Sequence, residues 1–402
     1  MNPLETDNLT RLVTRVLKIE EVTHGDQKQG FLMRYSGQLR TGDSAAAYDQ
    51  LASVVRPLNI TPLFRKDQDR HVVVLMSGVV NPQRSKVWVN IVLFIATIFS
   101  VMFAGTLYTY DGPVSANPME LLGNLLGSLD RGLSFAVSIL AILLAHEFGH
   151  YLAGRYHHVH VTLPYFIPFP FSPFGTMGAF IQLKEPPKNK RILLDIGIAG
   201  PLAGLLVAIP VLLVGLYLSA VDRIPLVLPP GQGIQMEGNS ILYLASKYIV
   251  FGKLLPTPSS YGGLSPVLYW VRYFFTGQPF PWGGTDVMLH PVAWAGWAGL
   301  LVTALNLIPA GQLDGGHIMY VLLGNRAKYL LPIILGVLAL LGLVWTGWWL
   351  WAFLIYILGR LHAEPLDQIT PLDPHRRVLA VSGLLIFILV FTPVPLLAFG
   401  GF

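Results

Sequence analysis

Ala145-His146-Glu147-Phe148-Gly149-His150 closes an apolar run that begins near Gly132. On an α-helix, two imidazoles four residues apart lie about 40° apart around the axis, so both can reach one metal ion. Glu147 sits beside that face and can take a proton from an activated water without being a ligand itself. This is the HExxH zinc arrangement. Its setting sharpens it, because a charged group near the centre of a membrane-length run costs roughly 2.5–3.5 kcal/mol and is therefore a functional candidate. A catalytic zinc needs a third protein ligand from elsewhere in the chain.

The 402 residues are 53% hydrophobic and 12% charged, with mean hydropathy +0.56, which is too apolar for a soluble chain of this size. The composition predicts a multi-spanning α-helical membrane protein embedded in a lipid bilayer. A net charge of +5 does not indicate a nucleic-acid partner, because the basic residues gather in loops between apolar runs, where they orient the chain. The absence of cysteine removes disulfides, thiolate nucleophiles and cysteine metal ligands. Glu5 and Asp7 and a long polar lead before the first apolar run do not read as a signal peptide. The N-terminus is expected to be cytoplasmic, and the membrane a bacterial inner membrane.

Residues 1–83 read as a small soluble α+β domain in the order β, α, β, β, with Asp43 capping its helix. Residues 84–131 hold a first span, preceded by Arg84 and Lys86, and an acidic external linker. Residues 132–320 form the membrane-embedded core, and 321–402 the C-terminal spans. The last of these spans is expected over 378–399, and Trp345, Trp348, Trp349 and Trp351 are expected as an aromatic belt. Prolines among aromatics at 162–174 forbid an ordinary span, so this stretch and the strand-like 175–183 are expected either to re-enter the membrane against the HExxH helix or to lie as an interfacial loop held by the aromatics. Gly178 and Phe180 on that strand are candidates to pair with an extended substrate. Gly197, Gly200 and Gly204 recur at helical spacing and read as packing positions.

A second constellation follows the crossing at 291–308. In Asn306-Leu307-Ile308-Pro309-Ala310-Gly311-Gln312-Leu313-Asp314-Gly315, a proline and glycines open the helix and deliver Asp314 to the leaflet that holds HEFGH. Asp314 is the expected third ligand beside His146 and His150. Asn306 is a candidate amide donor to a substrate carbonyl. His157, His158 and His160 read as loop residues for want of a carboxylate in register, and His317 is close enough to Asp314 to orient a group at the site.

With these residues in place, the chain resembles the site-2 protease family of intramembrane zinc metalloproteases. HEFGH at 146–150 and Asn306-x-x-Pro309-x-x-x-Leu313-Asp314-Gly315 carry the resemblance. Gly200-Pro201-Leu202-Ala203-Gly204 and the N-terminal domain look most like its plant-chloroplast and cyanobacterial branch. The resemblance implies Zn²⁺ on His146, His150 and Asp314, with Glu147 activating water. It also implies a membrane-anchored protein substrate, often already trimmed by another protease. No PDZ domain is recognisable. The rival reading from the residues alone is a transporter or a metal or proton pathway, which uses intramembrane His and Asp but gives Glu147 no task.

Overall fold

The computed structural model describes residues 3–25, 30–83, 85–113, 115–228, 233–359 and 364–400. Arg84, and Arg360 at the start of the expected inner loop, lie outside them. The N-terminal unit runs α1 (Pro3–Thr14), β1 (Leu17–His24), β2 (Met33–Leu39), α2 (Ser44–Val55), β3 (Ile60–Asp67) and β4 (Arg70–Ser77). Its antiparallel sheet has the order β1-β2-β4-β3. Leu9, Val13, Leu51 and Val55 of the helices close over Tyr35, Phe64, Val73 and Leu75 of the sheet. Asp43 caps α2 as expected, accepting from the amides of Ala45 and Ala46. The sequence reading missed α1 and β1. Beyond Leu17 the residues of β1 are exposed or half-buried, so its sequence lacks the apolar alternation that marks a half-buried strand.

A segment from the far end of the chain fills the open edge of this sheet. The Phe64 amide donates to the Leu366 carbonyl and the Gln368 amide to Phe64. From its other side the segment donates through the Leu366 and Asp367 amides to Pro187 and Lys188. The buried Asp367 carboxylate ties the junction, accepting from Ser44 Oγ at 3.0 Å, the Ile369 and Thr370 amides, and Thr370 Oγ1.

The remaining elements are α3 (Val87–Thr109), α4 (Pro118–Leu126), α5 (Leu133–Tyr156), β5 (Tyr165–Pro168), β6 (Thr176–Phe180), α6 (Lys190–Tyr217), β7 (Ala220–Arg223), β8 (Gly233–Glu237), α7 (Ile241–Phe251), α8 (Pro266–Thr276), β9 (Thr285–Met288), α9 (Pro291–Asn306), α10 (Asp314–Leu323), α11 (Leu330–Gly342), α12 (Gly347–Leu358), α13 (Pro374–Val390) and β10 (Leu396–Gly400). Among the described residues, four helical segments are long and apolar enough to cross a membrane: Val87–Thr109, Leu129–Tyr156, Lys190–Tyr217 and Asp314–Gly342.

The core forms where α5, α6 and α9 meet, with Ile139, Ile142, Ala208, Leu212, Trp297 and Ala298 all buried. Glycines set the register of α6 against α9. Gly215 abuts Ala293 and Gly296 abuts Leu212 so closely that a Cβ would clash, and Gly299 packs tightly on Ile142 and Ala208.

The proline-rich stretch forms a β5–β6 hairpin lying along α3. Asn90 near one end of α3 donates to the carbonyls of Leu163 and Pro164. Ser100 donates to Gly175, and Tyr108 near the other end to Pro173. Asn90 to Tyr108 covers about 27 Å at 1.5 Å per residue, so the hairpin runs alongside most of α3. Polar side chains of α3 satisfy part of its irregular backbone.

Two expectations are corrected. The expected last span stops at Val390, because Pro393 and Pro395 cannot continue a helix, and residues 396–400 pair as a strand with β8. Trp348 is no belt residue: it is 1% exposed, donates from Nε1 to the Pro393 carbonyl at 2.6 Å and stacks on Phe391.

Replacing Asp367 with Ala leaves several buried donors without their acceptor, a loss of about 1–3 kcal/mol. The expected outcome is a loosened N-terminal unit, read in limited proteolysis as faster cleavage after β4, within residues 78–83, than in the parent protein.

Candidate metal centre

α5 carries His146, Glu147 and His150, all buried, at the end of a mostly apolar run. His150 Nδ1 lies 2.7 Å from the Ile196 carbonyl. A carbonyl only accepts, so Nδ1 bears the hydrogen and Nε2 presents its lone pair. α6 comes close enough to make that contact because its facing residues have no side chains. A Cβ at Gly200 would lie 2.0 Å from His150 Nε2, and one at Gly204 would lie 3.1 Å from His146 Nδ1. Gly197 faces His317 in the same way, at 3.2 Å from its Cβ. These glycines are packing positions as read, but what they pack against is the site itself.

Asp314 arrives by a different route. α9 ends at Asn306, Pro309 prevents its continuation, and Gly311 turns the chain with φ +57°. Gly315 and Gly316 then let the first turn of α10 stack on the carbonyls of Leu307 and Gly311, where Cβ atoms would sit 2.0 and 2.3 Å away. Asp314, the first residue of α10, is held at a helix N-terminus that favours a carboxylate.

These routes converge on one triangle of donor atoms. His146 Nε2 and His150 Nε2 are 3.3 Å apart, and Asp314 Oδ2 lies 3.4 Å from the first and 3.3 Å from the second. Ligands about 2.0–2.1 Å from a tetrahedral zinc are necessarily about 3.3–3.4 Å from one another, so two imidazoles and a carboxylate at this spacing fit such an ion. They are the one His/Cys/Asp/Glu group of this kind among the described residues.

The triangle opens into a cavity of about 210 Å³. Glu147, Asn306, Gln312 and His317 supply further polar lining, and Ala179 to Ile181 wall one side. The backbone amide of Ile181 lies next to the Glu147 carboxylate. Asn306 Nδ2 is 3.2 Å from His146 Nε2, so its amide points where the three donors point. Phe180 lines the cavity, half-exposed, its ring stacked on Tyr165. Gly178 lies two residues upstream with φ +100° and open space where a Cβ would be.

His157 and His160 do have carboxylate partners, contrary to the reading from sequence. His157 Nε2 is 2.9 Å from Asp195 of α6, which also takes a two-pronged contact from Arg376 of α13, and His160 pairs with Glu185 at 2.7 Å. Both partners lie far along the chain, where local spacing could not reveal them. Gln312 and the Ile196 carbonyl were also missed. A backbone acceptor leaves no mark in a sequence.

A family model described as Peptidase family M50 matches residues 134–342, which holds HEFGH, the glycine face of α6 and Asp314. The chain belongs to peptidase family M50. Among its relatives, probable zinc metalloprotease EGY1, chloroplastic, of Oryza sativa subsp. japonica is 30% identical over 340 residues, covering 80% of this chain and 53% of the relative. Probable zinc metalloprotease EGY2, chloroplastic, of Oryza sativa subsp. indica is 27% identical over 384 residues, covering 93% and 63%. The Arabidopsis thaliana protein of that name is 27% identical over 420 residues, covering 99% and 68%. The chain thus spans between about half and two thirds of the length of these relatives. No solved structure is significantly similar to it. Family membership and the four apolar helices together make it a membrane protein.

The glycine contacts predict a graded result. Gly200→Ala drives a methyl group into His150, whose other nitrogen is pinned, and should weaken metal binding at least about tenfold, the equivalent of 1.4 kcal/mol. Gly204→Ala, whose contact is tighter than usual but not forbidden, should weaken it less. Competition of each purified variant against a chromophoric chelator reads both, with circular dichroism to confirm an unchanged helix content.

Proposed function

We propose that this protein is a zinc-dependent endopeptidase that cuts a membrane-anchored protein within or near its transmembrane segment. The triangle of His146, His150 and Asp314, with Glu147 buried against it in one cavity, is the observation that carries the reading. Family membership and the relatives named as probable zinc metalloproteases support it over a transport pathway. In this reading His146, His150 and Asp314 hold Zn²⁺, which supplies Lewis-acid chemistry toward a peptide carbonyl and makes a water more acidic.

Glu147 takes the proton of the attacking water and returns it to the leaving amine. Asn306 directs its amide at the carbonyl oxygen as negative charge develops there. A helical substrate exposes no free carbonyl, since each is bonded to an amide four residues on, so it must unwind to be cut. The 178–181 stretch, with Phe180 lining the cavity, offers the unwound segment a strand to lie beside. The aromatic stack of Phe180 on Tyr165 fixes that strand's end.

The N-terminal unit, as a soluble domain, and the metal centre face one side of the membrane in this proposal. Arg155, Lys184, Lys188, Lys190 and Arg191 gather between α5 and the first turn of α6, and favour that side as cytoplasmic. A bacterial inner membrane is the proposed location, whereas the relatives are named chloroplastic. α9, the α11–α12 hairpin and α13 complete the set of membrane-embedded helices, and the substrate is one that another protease has already shortened.

Zinc content and cleavage of a single-span reporter by the detergent-purified protein test this. Wild type and Glu147→Gln should each hold about one zinc per chain, as a three-ligand site predicts. Only wild type should cleave, with Glu147→Gln slowed by at least about 10²-fold. Asp314→Ala should lose the metal. A wild type without zinc, or a Glu147→Gln variant that cleaves at the parental rate, would overturn the reading.

A further inference from the structure

The lobe between α6 and α9 contains a group of charges that peptide hydrolysis does not use. Glu237 ends β8, Lys247 lies on α7 and Asp286 on β9, and all three are buried, with Lys247 fully so. Tyr243 Oη donates to Glu237 Oε1 at 2.7 Å, while Lys247 Nζ stands 3.9 Å from Asp286 Oδ1 and 4.4 Å from the centre of the Tyr243 ring. Among the described residues, neither Lys247 Nζ nor Asp286 Oδ1 has a hydrogen-bond partner.

Two carboxylates face one ammonium group, so the fully ionised cluster carries a surplus negative charge away from the solvent-exposed surface. Such a charge is costly to bury, and one proton shared within the cluster removes it. Among the described residues no further charged group offsets it. α8 contributes only Tyr273, and β10, which pairs with β8, brings no ionisable group. Asp222, opposite Asp286 across β7–β9, is exposed to solvent.

The cluster joins the elements that close the lobe. β7 continues from α6, β9 leads into α9, and β10 follows α13 to pair with β8. All of them lie at the ends of α6 and α9 remote from the metal centre.

We propose that Glu237, Lys247 and Asp286 form a proton-operated lock, in which one bound proton holds β8 and β10, α7 and β9 together and its loss loosens them. The lock does not depend on the peptidase reading. Burial, with Asp286 next in effect, raises Glu237 to about 7 from its ordinary 4.5. A raised carboxyl value means that the folded lobe holds its proton more tightly than the open one. The added stability is present in full below about 4.5 and is lost as the pH rises through about 7.

Hydrogen exchange of the intact detergent-purified chain tests this on peptides covering 233–251 and 396–400, with intrinsic rates corrected for pH. From pH 6 to pH 8 the wild type should lose about tenfold of its protection there, because that window crosses the folded value and lies above the unfolded one. Glu237→Gln removes the surplus charge, and Asp286→Asn leaves Glu237 a lysine partner of its own. Glu237→Gln should be flat across the window, while Asp286→Asn, which keeps Glu237 buried but removes the like charge beside it, should move the loss to lower pH and decides the matter alone if Glu237→Gln fails to fold. A flat wild type, or a variant that keeps the tenfold loss in the same window, overturns the proposal.

Discussion

The metal centre depends on a contact between two helix backbones with no side chain between them. On α5, Gly149 brings the chain so near α6 that a Cβ would fall 2.5 Å from the Ala199 carbonyl. On α6, Gly200 and Gly204 receive the two imidazoles of α5. In a lipid environment, where water does not drive helices together, such surfaces let van der Waals packing and backbone acceptors do so. The closeness fixes chemistry as well as packing. The Ile196 carbonyl reaches His150 Nδ1 only across this gap, and that hydrogen bond turns Nε2 toward His146 and Asp314.

Much of the site was legible because its signals are short. Two histidines and a glutamate within one helical turn, and an aspartate behind a proline and glycines, are local patterns whose geometry follows from helix pitch and backbone restriction. The glycine face of α6 was legible as a face, but spacing says which side of a helix packs and never which residues it meets. Asp195 and Glu185 went unseen as partners of His157 and His160 because their contacts form only when separate elements close. α1 and β1 were lost for another reason: a strand whose residues are mostly exposed has no apolar rhythm to read. Trp348 fits an aromatic belt by composition, yet Pro393, some forty-five residues away, supplies an acceptor that draws it inward.

The N-terminal unit is bound to the rest of the chain by shared backbone hydrogen bonding. Residues 364–368 complete its sheet on one side and engage 187–188 on the other, immediately before Asn189 caps α6 with a hydrogen bond from the Ile192 amide. Filling the β3 edge from within the chain also removes a surface on which sheets of separate molecules pair. Asp367, which ties the junction, belongs to no motif, and nothing in its local sequence distinguishes it from an ordinary loop acid.

The shortness of α9 has a consequence for where chemistry happens. Its start is level with the far end of α6, Ala293 beside Gly215, yet its 16 residues bring Asn306 only about as far as Pro201. α6 continues another eleven residues or so beyond that level, about 16 Å. The unwound chain leading to Asp314 therefore begins well below the surface that α6 reaches. α9 acts as a ruler: its length sets how far from the end of α6 the turn that carries Asp314 begins, and with it the depth at which the three donor atoms sit.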